Sequence, residues 1–386
     1  MKIFVLLLSS FLLLSAVEES KQLKNNHPLQ ESDKSSALLC QMSSDMQVYL
    51  HETPLSTYHF FNKQSSSIKS QSLITWIHGD IYLQNLGVGK EPFIHATLNN
   101  EKQTHLGDYR YDLFTLLNDL LIQMQENSDF SGSKEKAILG KLVDGYFERI
   151  ENEKLQCACI DEAVEEVNYM TLLNEYTKVM NKQRIFNAQL LKTDVKNTRE
   201  LEEKMNAYLK GFKLLPLKGI ALNTYGDYLL LCEGKSTKLD DDIIFVLSAK
   251  TLPVSYQVNE HMKQKYLKQT ATKQVDVVSS FNQNNYAGTI VLRSQKFFVS
   301  KLSPKLSLRP ATDNTKVYKN YASALGYMLA SFHANSDLKM CNDFSKKAQK
   351  QIKKHLVKNE LISMVYAYND RLENKLYALA DKINCQ

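Results

Sequence analysis

The stretch that most constrains this chain is an apolar run that stops at a glycine and an acid. Residues 73–77 have the sequence Leu-Ile-Thr-Trp-Ile, which predicts a short buried strand, and His78-Gly79-Asp80 follows at once. Asn85 lies five residues beyond Asp80. A strand end holds the residues after it in a fixed place, so an acid there is often functional. A second interpretation is a plain turn in which Asp80 and Asn85 hydrogen-bond their own backbone.

The spacing His-Gly-Asp-x-x-x-x-Asn resembles the catalytic loop of kinases that phosphorylate small molecules, such as aminoglycoside and choline kinases. In those enzymes the Asp orients or deprotonates the acceptor hydroxyl and the Asn holds a metal ion. The resemblance implies that Asp80 is the catalytic acid, that His78 positions it, and that Asn85 is a metal ligand.

The N-terminus has the pattern of an export signal. Lys2 is followed by an apolar or small run from Ile3 to Val17, which Glu18 closes. We expect residues 1–16 to be a signal peptide, residues 17–37 a flexible polar leader, and residues 38–386 the folded domain. The protein would then be secreted or periplasmic, without a membrane span after cleavage. An uncleaved anchor is the alternative, although the run is short for a bilayer core of about 30 Å.

The composition fits a globular domain and argues against a nucleic-acid partner. Hydrophobic residues make up 43% of the 386 residues, enough for a sizeable core, and only 13 Gly and 7 Pro argue against a low-complexity chain. The formal net charge is +6, with Lys interleaved among Glu and Asp, whereas nucleic-acid proteins usually concentrate a stronger basic excess.

The six cysteines are an even number, and export would permit disulfides. Cys40 and Cys385, near the two ends of the predicted domain, are candidate members of a bridge. Cys232 lies in an apolar run and is expected to be a buried thiol. No cysteine or histidine cluster has the spacing of a zinc site.

The hydrophobic periodicity predicts strand pairs among many helices. Residues 109–124 carry the clearest helical stripe, with leucines at i, i+3, i+4 and i+7. Further helices are predicted at 135–152, 160–181, 197–212, 256–285, 317–333 and 344–383, and strands at 92–98, 228–232, 243–247, 289–292 and 296–302. Strands and helices do not alternate strictly, so the predicted class is α+β, rich in helices with short antiparallel strand pairs.

Several blocks, taken in order, resemble the uncharacterised bacterial family named domain of unknown function 2252. They are His78-Gly79-Asp80 to Gly87, Gly107 to Leu113, Lys218 to Ala221, Tyr228 to Gly234, Asp240 to Asp242 with Ala249-Lys250, and Gly326 to Ala334. The resemblance spans roughly residues 40–380. It implies a protein-kinase-like fold related to the aminoglycoside phosphotransferases.

The chain departs from that family at the positions expected to bind phosphate, to neutralise its charge and to bind a metal ion. The resemblance places a glycine-rich phosphate loop at Gly219, with Ala221 where a further glycine is expected. Asn100 occupies the position of a metal-binding acid, and it offers a neutral oxygen only. A lysine is expected at the end of the strand 243–247, but the chain has Leu247, with Lys250 three residues on.

Three functions follow as expectations. The first is an exported kinase-like protein that has lost nucleotide-dependent catalysis and binds an unidentified ligand or protein partner, with no cofactor. The second is a phosphotransferase that uses ATP and Mg²⁺, with Asp80 as base and Asn85 and Asn100 as metal ligands. The third is a hydrolase or other transferase without nucleotide, using Asp80 with His333.

Overall fold

The structure is a computed structural model that describes most of the chain after residue 32. The described ranges are 33–89, 95–98, 103–127, 130–152, 169–189, 191–195, 198–214, 216–223, 226–236, 238–281, 286–302, 314–338 and 343–381. The signal peptide predicted at 1–16 and Asn100 lie outside these ranges.

Helices and short strands alternate irregularly along the chain. The helices are α1 Asp33–Ser44, α2 Met46–Glu52, α3 Pro54–Gln64, α4 Tyr109–Asn127, α5 Gly132–Glu151, α6 Tyr169–Tyr176, α7 Arg199–Gly211, α8 Val254–Val258, α9 Glu260–Phe281, α10 Thr315–Leu338, α11 Phe344–Gln351 and α12 Lys354–Ala380. The strands are β1 Ile74–Ile77, β2 Leu86–Gly89, β3 His95–Leu98, β4 His105–Asp108, β5 Thr177–Met180, β6 Gln183–Phe186, β7 Leu217–Leu222, β8 Tyr228–Cys232, β9 Ile243–Ala249, β10 Gly288–Leu292 and β11 Gln295–Lys301. The predicted helix-rich α+β class with antiparallel strand pairs is confirmed.

The strands form one larger sheet and three separate pairs. The larger sheet has the order β10-β11-β9-β8-β7 and is antiparallel throughout. The pairs are β1 with β4, β2 with β3, and β5 with β6. In the first pair Ile77 faces His105, so the last residue before His78 is fixed against β4.

The helical core is built around α4, α5 and α10. The leucine stripe of α4 is confirmed, since its five members are fully buried: Leu113, Leu116, Leu117, Leu120 and Leu121. Helices α5 and α10 approach each other at Gly145 and Gly326, where an added Cβ would overlap backbone atoms of the opposite helix. Such a close approach needs glycine, and it lets side chains of the two helices meet across the interface.

Two segments differ from the sequence prediction. Residues 160–181 were expected to be helical, but the described part forms α6 and then the hairpin β5–β6. The hairpin turn has positive φ at Asn181 and Lys182, which suits a tight two-residue connection that local hydrophobic periodicity does not reveal. Residues 33–37, placed by prediction in the flexible leader, lie in α1.

The structure describes Cys40 and Cys232, and both agree with the prediction made for them. Cys40 is disulfide-bonded, and its partner lies outside the described residues, so the proposed pairing with Cys385 stays a prediction. Cys232 is a free, fully buried thiol, and burial raises its pKa. Among the described helices, none combines the length and apolar character that a bilayer crossing requires.

Candidate functional site around Asp80

The Asp80 loop begins with a backbone turn that only glycine accommodates well. Gly79 has φ of 76°, in the left-handed region. A Cβ at Gly79 would lie 2.7 Å from the His105 ring and 2.8 Å from the Gln103 carbonyl oxygen. The chain therefore turns directly over β4, and Asp80, half-buried, follows this turn.

The start of the loop is held by a buried carboxylate that the sequence analysis did not single out. Asp112, in the first turn of α4, accepts hydrogen bonds from the backbone N–H of His78 at 2.7 Å and of Gly79 at 2.9 Å. Its Oδ2 also lies 3.1 Å from Nε2 of His333. Burial opposes the charged form of Asp112, but the hydrogen bond and charge of His333 outweigh it and lower the carboxyl pKa.

His333 is fully buried and both of its ring nitrogens are engaged. Nδ1 lies 2.7 Å from the hydroxyl of Tyr146, and Nε2 contacts Asp112. Tyr146 lies on α5 and His333 on α10, so the close helix crossing brings this pair together. His333 thus supports the residue that holds the loop. With no ring nitrogen left for a substrate, it does not suit the predicted role in hydrolysis.

Asn85 closes the loop on itself. Its Nδ2 donates a hydrogen bond of 2.8 Å to the backbone carbonyl of Asp80, and its backbone N–H donates to the Tyr82 carbonyl. The turn interpretation of the Asp-Asn spacing is therefore right for the Asn85 amide group. The same bond fixes Asn85 beside Asp80, so the turn and the functional interpretations are compatible.

The second half of the loop is held by another buried acid, Asp119, seven residues after Asp112 on α4. One Asp119 oxygen accepts the backbone N–H of Leu83 at 2.6 Å. The other lies 3.1 Å from Nε2 of Gln47 and 3.2 Å from Nε2 of His51, both on α2. Two acids seven residues apart on an otherwise apolar helix face were the sequence signal for this arrangement.

His51 joins the site from α2. Its ring lies on Tyr82, with the ring centroids 4.0 Å apart. Burial disfavours the imidazolium, but the charge and hydrogen bond of Asp119, with smaller contributions from Asp80 and Glu52, raise the pKa of His51 above its ordinary value. No local sequence pattern marks His51, because its partners Asp119 and Tyr82 come from two distant segments.

The residues assigned to a phosphate loop lie in a regular strand instead. Gly219 and Ala221 are inside β7 and pair with Leu231 and Leu229 of β8. Ala221 is fully buried in an apolar cluster, and an added Cβ on Gly219 would make an ordinary contact of 3.5 Å with Phe186. Neither residue is at the turn of the hairpin, and the assignment of a phosphate loop to them stays a prediction.

Charged residues near this hairpin are largely paired with one another. Lys218 lies 2.8 Å from Asp242 and 3.2 Å from Glu233. Asp242 is fully buried, whereas Asp240, two residues before it, is exposed. Within the described residues, no group of three or more His, Cys, Asp and Glu side chains could hold a metal ion.

The comparison with known families covers the Asp80 loop but not the larger sheet. A family model described as "Uncharacterized protein conserved in bacteria (DUF2252)" matches residues 56–214. That segment contains Asp80, Asn85, Asp112 and Asp119 and ends before β7. No curated protein and no solved structure matches the chain.

Proposed function

We propose that this chain is an exported protein of kinase-like fold whose Asp80 site binds a ligand or partner without nucleotide-dependent phosphoryl transfer. The observation that carries the proposal is the position of Gly219 and Ala221 within the strand β7, where both pair with β8. Phosphoryl transfer depends on positioning and charge neutralisation, and a phosphate must approach backbone N–H groups closely. Here those backbone groups pair with β8.

The turn after β7 also disfavours a phosphate. Asn223 and Asp227 bond to each other across it, through the backbone N–H of Asp227 and the Asn223 side chain at 2.9 Å. The Asp227 carboxylate at this turn adds negative charge where a phosphate would need positive charge. Lys218 on β7 is already paired with Asp242 and Glu233.

The kinase-like fold is part of the proposal. Protein kinases place a glycine-rich turn between their first two strands, a lysine on the third strand and a helix after it. The order β7, β8, β9, α8 and α9 has the same succession of strands and helices. The Asp80 loop precedes this sheet in the chain.

Thermal-shift titration with ATP and Mg²⁺ or Mn²⁺ tests the proposed loss of nucleotide binding. We expect no change in Tm beyond that given by the metal alone. A clear metal-dependent stabilisation by ATP would contradict the proposal. Export is tested separately, by sequencing the N-terminus of protein recovered outside the cytoplasm, which should begin at Val17.

An active phosphotransferase is the second candidate, and the environment of Lys250 favours it. The Lys250 Nζ is buried, has no hydrogen-bond partner among the residues that the structure describes, and has its pKa lowered to about 8 by burial and by Lys296. The next residue, Thr251, accepts a hydrogen bond from Gln103, whose carbonyl lies against Gly79. An unpaired amine near the loop could bind a phosphate once ionised.

Incubation of the purified protein with labelled ATP and Mg²⁺ decides between the two candidates. Label transfer to the protein, to water or to a component of a cell extract that is lost in both Asp80→Ala and Lys250→Met would support the phosphotransferase. If wild-type protein and Asp80→Ala transfer label equally, or not at all, the phosphotransferase is excluded.

A further inference from the structure

We propose that His51 is a ligand-binding residue of the Asp80 site, and that its Nδ1–H donates to an oxyanion of the ligand, either a carboxylate or a phosphate group. This inference rests on the proposed function in one respect, which is that the ligand occupies the Asp80 site. It goes beyond that function by naming a binding residue and the chemistry that it recognises.

The first observation is that Asp119 fixes one side of the imidazole. The carboxylate of Asp119 is fully buried and lies 3.2 Å from Nε2 of His51. The N–H of Leu83 and the side chain of Gln47 hold the carboxylate itself in place. A buried carboxylate on one ring nitrogen keeps that nitrogen protonated and sets the orientation of the ring.

The second observation is that the other side of the ring is available. The His51 side chain is 15% exposed, and within the described part of the chain its Nδ1 forms no hydrogen bond. Contact with the ring of Tyr82, which is tilted by 39° against it, restricts rotation of the His51 ring. A rigid ring with one accessible nitrogen beside a loop acid has the geometry of a binding residue.

The third observation concerns charge. Three carboxylates act on His51: Asp119 from α4, Asp80 from the loop and Glu52 from its own helix. From α12, Lys375 lies over the ring of Tyr49, two residues before His51 on α2, with its Nζ 5.8 Å from the ring centroid. Burial lowers the pKa of His51, but the carboxylates outweigh it and raise that pKa above its ordinary value. An imidazolium has two N–H donors, and the second needs an oxygen acceptor.

Buried hydroxyl groups near Asp80 agree with a polar ligand. The hydroxyls of Tyr82 and Tyr111 are buried and have no hydrogen-bond partner in the described part of the chain, although buried polar groups are nearly always paired. Burial and then the charge of Asp80 raise the pKa of both phenols, so both remain neutral donors. An oxyanion beside Asp80 would need such donors to offset the repulsion from that carboxylate.

The test uses the full mature chain with ¹³C-labelled histidine and follows the ring resonance of His51 by NMR. The His51 pKa is measured alone, with inorganic phosphate and with acetate, at constant ionic strength. We expect a pKa above the ordinary value of 6.5 and a further rise with one of the two anions. The anion that produces the rise identifies the preferred oxyanion.

Calorimetric titration of the same anion supplies the affinity. We expect His51→Gln to weaken binding about tenfold, the effect of one charge-assisted hydrogen bond. His59→Gln is the matched control, because His59 is an exposed histidine on the neighbouring helix α3, and this variant should bind as the wild type does. Tyr82→Phe, which keeps the stacked ring, should also weaken binding.

Two results would overturn the inference. One is a His51 resonance that neither phosphate nor acetate moves. The other is a pKa that falls in Glu52→Gln or Asp80→Asn while anions have no effect, which would mean that a protein carboxylate already occupies Nδ1. The experiment contains no nucleotide and no metal, so its result is separate from the ATP titration that tests the proposed function.

Discussion

The Asp80 loop and the β7–β8 hairpin were both compared with parts of kinases on sequence, but they are built in different ways. The loop is held by two buried carboxylates, Asp112 paired with the buried His333, and Asp119 paired with the partly exposed His51. In β7, Gly219 and Ala221 are strand residues within an apolar sheet. Buried polar networks are costly unless every member is satisfied, so such a network fixes one geometry. A small residue in a strand carries no comparable requirement.

Removal of the Asp112 charge should have the largest effect, because it breaks the contact between α4 and the loop. Asp112→Asn replaces one carboxylate oxygen with an N–H₂ that faces the N–H of His78 or of Gly79, and it removes the carboxylate that contacts His333. We expect a loss of about 3–5 kcal/mol in the free energy of unfolding, measured by urea denaturation.

Asp227→Asn in the hairpin turn is the control for this prediction. Asp227 is half-buried and its backbone, not its carboxylate, makes the shorter turn bond. This variant should lose at most about 1 kcal/mol in the free energy of unfolding. Equal losses in the two variants would remove the contrast between the loop and the hairpin.

The next largest effect should be a loss of unfolding free energy at acidic pH, and it should come from His105. His105 lies under Gly79, and burial lowers its pKa to about 4. Because the unfolded state binds this proton near pH 6.5 and the folded state does not, stability is lost as the pH falls from about 6.5 to about 4, by about 3 kcal/mol. Urea unfolding over this range should show the loss, and His105→Gln should reduce it.

The two glycines give the third comparison. Gly79→Ala places a side chain in the left-handed region and against His105, so we expect a loss of about 2 kcal/mol. Gly219→Ala meets only an ordinary contact in a strand, where replacing glycine should change stability by at most about 1 kcal/mol, in the stabilising direction. A larger loss from Gly219→Ala would show that β7 has a requirement for glycine that packing does not explain.

The smallest effect should come from His51, and it should depend on pH. The folded pKa of His51 is raised above the ordinary value. Its stabilising contribution is therefore complete below about pH 6.5 and disappears as the pH rises through the folded pKa. The difference in unfolding free energy between wild type and His51→Gln should shrink with rising pH, and His59→Gln should show no such trend. A difference that grows with pH would contradict the assigned ion pair.

Much of the loop was predictable because its signals are local. The apolar run before His78 predicted β1, and the leucine stripe at 109–124 predicted α4. The Asp-Asn spacing predicted a turn, and Asn85 does bond the backbone of Asp80. Each of these features depends on residues within a few positions of one another.

The partners of the loop were not predictable in the same way. His51 meets Asp119 across 68 positions, and His333 meets Asp112 across 221. The sequence analysis considered His333 as a catalytic group, whereas its surroundings use both ring nitrogens for support. It did not consider His51, whose accessible nitrogen only the packing of α2 on α4 reveals.

The sequence by itself therefore determined the α+β class, the strand-to-loop turn at Gly79 and the amphipathic helices, because periodicity and turn chemistry act over short distances. Only the tertiary structure decided that Gly219 lies within a strand, that Asp112 and Asp119 hold the two halves of the loop, and that His51 rather than His333 has a nitrogen to offer. The physical reason is that burial and pairing of polar groups depend on which helix faces meet, and no local pattern specifies that.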